Sequence, residues 1–164
     1  AHRSTPVVNL SLSGESNALL SLALGRLMAQ DTVLVAAVGN SGPAVPPAFP
    51  AAEPGVLGVT AIDIGSAPLD EASRGDAVDF AAPGVRIWTP ELGGAGGYHT
   101  GTSFAAPYLT AAVAAQLRTS LSASPDEIVA RLADAAVDLG EPGKDPVFGW
   151  GLVHAASPCD AVNQ

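Results

Sequence analysis

The chain has 164 residues, 48% of them hydrophobic, which is enough to bury one core and make a single domain. Seven basic residues against sixteen acidic ones give a formal net charge of -9, which repels phosphate backbones and anionic bilayers and sets nucleic acid aside as a partner. The longest apolar run, around Phe104 to Leu117, is broken by Pro107 and Thr110 and falls short of the roughly 18 residues that a membrane span needs.

The sequence starts at Ala1 without an initiator methionine or a targeting signal, so it is expected to be a processed product or a piece of a longer protein. "TPVVNLSL", bounded by Pro6 and Gly14, carries apolar residues on both its alternating faces and predicts a buried strand. After Glu15, Ser16 and Asn17, any of which can cap, "ALLSLALGRLMAQ" repeats apolar residues at helical spacing. "TVLVAAVG" and "GVLGVTAID" supply two further apolar strands. The order strand, helix, strand, loop, strand predicts an α/β fold of three layers around a parallel sheet.

From Asp76 to His99 glycine and proline are frequent, and "VDFAAPG" with "VRIWTPE" predict two short strands in a hairpin-like excursion. An alanine-rich helix follows Ser103. "SPDEIVARLADAAVDL" opens another, with Ser124 as N-cap, Pro125 at the first helical position and Glu127 closing a capping box. Nothing in composition divides residues 1–164 into two domains. The single cysteine, Cys159, forms neither a disulfide framework nor a metal cluster.

Three stretches carry candidate chemistry. A serine preceded by "TG" and "T" at the start of a helix sits where free backbone N–H groups favour negative charge, although Ser103 or Thr102 as a plain helix cap accounts for the same residues. In "AAVGNSGP" an apolar strand ends at Gly39 and Asn40, whose amide can donate to a developing oxyanion or serve an ordinary turn. "LSLSG" offers polar backbone at a strand end, suited to pairing with an extended peptide.

Taken together, "VVNLSLSG", "VLVAAVGNSGP", "FPAAEPGVLGVTAID", "VDFAAPGV", "GTSFAAP" and "GWGLVHA" occur in an order that resembles the C-terminal part of a subtilisin-like serine protease catalytic domain, from about Pro6 to Ala156. The resemblance implies an endopeptidase with Ser103 as nucleophile, and an oxyanion hole made by Asn40 and the Ser103 backbone N–H. It implies that Ser11, Leu12, Ser13 and Gly14 form the edge beside which substrate lies. Ala37, Val38 and Gly39 would be the opposite wall of the pocket for the residue before the scissile bond, with Ala48 and Ala51 at its floor. Acyl transfer needs a nucleophile, a base and oxyanion donors, and two of these three are present.

Departures from the family pattern are Tyr108 where relatives usually have histidine, Phe104 for the commoner methionine, and Ser13 for the commoner glycine, which narrows the room beside the substrate backbone. Pro107 matches the family, and its missing N–H leaves the Ser103 carbonyl without its intrahelical donor. The family's order is Asp, His, then Ser, and the motifs carrying the first two would precede "VVNLSL". The sequence therefore predicts half of a domain, one sheet edge unpaired, partnered by an N-terminal part of the same protease domain that supplies Asp and His.

None of the local histidines replaces the base on sequence grounds. His2 is at a chain end, His154 matches no catalytic position, and His99 has an intervening glycine turn and no carboxylate neighbour to orient its ring. The alternative to an endopeptidase is an inactive subtilisin-like module acting as a scaffold. No cofactor and no firm metal site are expected; relatives often bind calcium, and the loops holding Glu53 and Asp79 are where a weak site would form. The resemblance further implies a polypeptide substrate and a secreted or periplasmic location.

Overall fold

A computed structural model describes residues 6–119 and 123–154. In chain order the elements are β1 (Val7–Leu10), α1 (Ala18–Met28), β2 (Val33–Ala37), β3 (Val56–Ile62), β4 (Phe80–Pro83), β5 (Ile87–Pro90), β6 (Gly96–His99), α2 (Thr102–Thr119) and α3 (Pro125–Ala135). His2 and Cys159 lie outside the described residues.

The main sheet is parallel with order β1-β2-β3-β4. Every residue of β2 and β3 is buried, as expected of strands covered on both faces. Alternation divides β2 cleanly. Val33 and Val35 face one core with Phe80, Ala105, Leu109, Val113, Ile128 and Leu132, while Leu34, Ala36 and Val38 face the other with Leu24, Phe49 and Val78. The three layers are therefore α1 on one face, the sheet, and α2 backed by α3 on the other, with α2 lying across all four strands. At the β1 edge, Val7, Val8 and Leu10 remain only half-buried, and among the described residues no further strand pairs with β1.

Local signals explain the helix starts. Asn17 caps α1, its Oδ1 accepting the N–H groups of Leu19 and Leu20 at 3.0 Å. Ser124 and Glu127 form the expected reciprocal capping box, with Pro125 at the start of α3.

Two expectations are corrected. "VDFAAPG" does not pair with "VRIWTPE": its residues 80–83 join the main sheet as a fourth parallel strand beside β3, and the hairpin is formed instead by β5 with β6. Glycine-rich β6 lacks the apolar alternation that marks a strand, so Trp88 finds its cross-strand partner in Tyr98. The second helix also starts one residue before Ser103, at Thr102.

Gly84 follows β4 where the sheet and the start of α2 lie close together. A Cβ there would lie 2.5 Å from the Ala61 Cβ, 2.9 Å from the Gly101 oxygen and 3.3 Å from the Ala105 Cβ. Gly84→Ala is expected to destabilise the fold by about 1–3 kcal/mol through overpacking, read as a lowered midpoint in urea without a change in slope.

Candidate active site

Strands β1 and β2 end, and helix α2 begins, at one rim of the sheet. Gly39 closes β2 with φ of 103°, a left-handed conformation that favours glycine. It hands the chain to exposed Asn40. Asn40 Oδ1 accepts two hydrogen bonds from Thr102, one from its backbone N–H and one from its hydroxyl, both at 3.0 Å. A backbone N–H can only donate, so the amide orientation follows: the oxygen faces Thr102 and Nδ2 is the free end. The Thr102 hydroxyl accepts in turn from the Gly39 N–H at 3.2 Å, and Thr102 is entirely buried.

Ser103 is in the first turn of α2, half-buried, among the N–H groups that a helix start leaves without intrahelical acceptors. Gly101 keeps this corner open, since a Cβ there would stand 3.2 Å from Asn40 Nδ2. Sequence assigns Thr102 no more than a cap. Its role as the clamp on Asn40 depends on a contact 62 residues apart along the chain.

Ser11, Leu12, Ser13 and Gly14 are exposed, running on from β1. Gly14 N–H donates to the Phe49 carbonyl at 2.8 Å, and Ala48 N–H to the Val38 carbonyl at 3.0 Å, so the 48–51 loop is tied to both β1 and β2. Leu12, Ser13 and Gly14 also border an open apolar pocket of ≈ 430 Å³ with Leu19, Leu20 and Phe49. A Cβ on Gly39 would meet Ser73 Oγ at 3.5 Å, the Ala48 Cβ at 3.7 Å and Ser13 Oγ at 3.8 Å. These three side chains thus gather at Gly39. Ala37, Val38 and Ala51, at 0–1% exposure, stand behind this accessible surface.

Ser73 is absent from the sequence expectations. Its hydroxyl is buried and has no hydrogen-bond partner among the described residues, while its N–H donates to the Gly39 carbonyl at 3.0 Å. No local motif marks a serine whose place is set by a loop 34 residues beyond Gly39.

His99 requires a correction: it has a carboxylate neighbour. The β5–β6 hairpin brings Glu91 Oε1 to 2.9 Å from His99 Nε2, and the imidazole stacks on Phe104 with ring centroids 5.6 Å apart. The pair is eight residues apart in sequence, across a turn that sequence reading does not close. No hydrogen bond joins His99 to Ser103 among the described residues. His154 is exposed near the end of the described chain.

The carboxylates considered for calcium have other partners. Asp79 accepts the Gly58 N–H at 2.8 Å and pairs with the Lys144 ammonium at 2.8 Å, and Glu53 accepts the Ser21 hydroxyl at 3.1 Å. A carboxylate already facing an ammonium does not suit a calcium ion. Among the described residues no group of three or more His, Cys, Asp or Glu side chains converges as a metal set.

Comparison with known proteins identifies the family and the fold. Residues 2–151 match the family described as the subtilase family. The minor extracellular protease Epr of Bacillus subtilis is 32% identical over 149 residues, covering 90% of this chain and 23% of Epr. Subtilisin DY of Bacillus licheniformis is 30% identical over 152 residues, covering 90% of this chain and 54% of that protein. Among solved structures, the prenylagaramide maturation protease PagA superposes with a TM-score of 0.78 at 26% identity, over 92% of this chain and 59% of PagA. Sphericase superposes at 0.81 and 24% identity, which bears on the fold, over 92% of this chain and 57% of its own. The chain thus spans from about a quarter to just over half of the length of these relatives, and within that span it belongs to the subtilase family.

Proposed function

We propose that this chain carries the nucleophile and oxyanion half of a serine endopeptidase site, with the aspartate and histidine contributed by an N-terminal part of the same protease domain. The observation that carries the proposal is the Thr102 clamp on Asn40, which aims an amide N–H pair outward beside a serine at a helix start. Ser103 Oγ attacks the scissile carbonyl carbon as its proton passes to the histidine. The carbonyl oxygen becomes negative facing Asn40 Nδ2 and the Ser103 N–H, and the amine leaves with the proton. Water then hydrolyses the acyl-enzyme by the same route.

The substrate is an extended polypeptide laid beside Ser11–Gly14. Ser13, Ala48 and Gly39, with Ser73 behind them, make the pocket for the residue before the cleaved bond, which suits a small or medium apolar side chain. The apolar pocket beside Leu12 and Leu20 takes a second apolar side chain further along the same strand. The half-buried β1 edge is where the N-terminal part of the domain adds its strand. Secretion or periplasmic export is supported by the extracellular designation of the Bacillus subtilis relative. In the described residues no helix is long and apolar enough to cross a membrane.

The test is labelling of the full-length gene product with a fluorophosphonate. Rapid modification of Ser103, abolished by Ser103→Ala, is the expected result; absence of labelling would instead favour the inactive scaffold. Asn40→Ala is expected to lower kcat by about 10² to 10³ with KM nearly unchanged, since it removes a donor used only as charge develops. Thr102→Val keeps the volume but frees Asn40 Oδ1 from one of its two donors. Loss of a hydrogen bond of this size, about 1–1.5 kcal/mol, corresponds to roughly a tenfold lower kcat. In a series of peptide p-nitroanilides, alanine or valine before the cleaved bond should exceed phenylalanine in kcat/KM, and Ser13→Gly should narrow that difference.

A further inference from the structure

Ser103 is held from outside its own helix. In a regular α-helix its carbonyl would accept the N–H of the residue four places on, but that residue is Pro107, which has no N–H and whose ring crowds the same carbonyl. The helix therefore leaves the backbone of its own first turn free to tilt at the residue that bears the nucleophile. The Ser11 hydroxyl, 92 residues away in sequence, donates to that carbonyl at 2.8 Å.

The hydroxyl is itself oriented. Asn9 Nδ2 donates into Ser11 Oγ at 3.0 Å, which directs the Ser11 proton to the carbonyl. Asn9 Oδ1 accepts from the Thr110 hydroxyl at 3.2 Å, and that hydroxyl also lies 2.9 Å from the Ala106 carbonyl. The chain of contacts leaves α2 at Thr110, passes through two side chains at the end of β1, and returns to α2 at Ser103. It brackets Pro107 from both sides.

We infer that Ser11 is a positioning residue for Ser103, replacing the hydrogen bond that Pro107 removes, with Asn9 and Thr110 orienting its hydroxyl. This rests on the reading of Ser103 as nucleophile. The Ser103 side chain is carried by a Cα bonded directly to that carbonyl, so a tilt of the peptide displaces Oγ from its line of attack. The polypeptide that supplies the hydroxyl is also the edge assigned to substrate. Displacement of the edge and displacement of the nucleophile are in this way linked by one contact.

The experiment uses the full-length gene product with active sites counted by fluorophosphonate titration, so that misfolded protein does not enter kcat. Ser11→Ala is expected to lower kcat per titrated site by about 10- to 100-fold, as misplacement of a reacting group does, with KM changed by less than about threefold. Ser11→Thr, which keeps the hydroxyl, should restore most of the rate, and Asn9→Ala should lower kcat in the same direction but less. A role confined to the substrate wall would move KM instead and would not be rescued by threonine. The inference is overturned if Ser11→Ala and Asn9→Ala leave kcat per site unchanged while Ser103→Ala is inactive, or if Ser11→Thr is as slow as Ser11→Ala. Activity surviving in Ser103→Ala would overturn the nucleophile reading along with it.

Discussion

A single buried hydroxyl joins the parts on which the site depends. Thr102 accepts from the end of β2 through Gly39 N–H and donates to Asn40 Oδ1, and it is the first residue of α2. The end of β2, the Asn40 side chain and the helix start are thereby fixed relative to one another by contacts of 3.0–3.2 Å made by a side chain that is itself fully buried. A hydrogen bond in such surroundings is costly to leave unmade, because a buried donor or acceptor without a partner loses its solvation. The geometry beside Ser103 is therefore tied to the stability of the fold around it.

The sheet makes that clamp possible. β2 is buried from end to end, its alternate side chains shared between two cores, and α2 crosses the strands on one of those faces. Thr102 is the first residue of α2, and Gly39 and Asn40 follow closely on the end of β2, so the clamp is anchored at the ends of two regular elements, which hold geometry better than a long loop. The β5–β6 hairpin is different: Trp88, Tyr98 and the hairpin-tip residue Leu92 are exposed, and its contact with the site passes through His99 lying on Phe104. Neither of its strands contributes to the two core clusters.

What the sequence discloses follows from how local each signal is. The apolar runs of β2 and β3, the Asn17 and Ser124 caps and the start of α3 are written in neighbouring residues, and the chain folds as they indicate. Ser103 and Asn40 are separated by 63 positions in sequence order, and what brings them into view is the company of several motifs, none sufficient alone. The pairing of β4 with β3, the strand at Gly96–His99 and the ion pair of Glu91 with His99 depend on contacts that no local pattern encodes. Ser73 is the clearest instance, a serine in a loop with no capping or turn signature, placed against Gly39 by tertiary packing and by the hydrogen bond from its N–H to the Gly39 carbonyl. The consequence of Pro107 was half visible: proline chemistry announces the missing donor, but only the folded chain shows that Ser11 fills the vacancy.

The face of α2 that meets the sheet is built from Ala105, Ala106, Leu109, Ala112 and Val113. Alanine at the first two of these sets the separation between helix and sheet at the very turn that carries Ser103. Side-chain volume there then bears on where the helix start sits as well as on the filling of space. Ala105 and Ala106 are both fully buried, so a methyl group added at either would overpack the contact, and the core in this region has a narrower tolerance than its hydrophobicity alone would set.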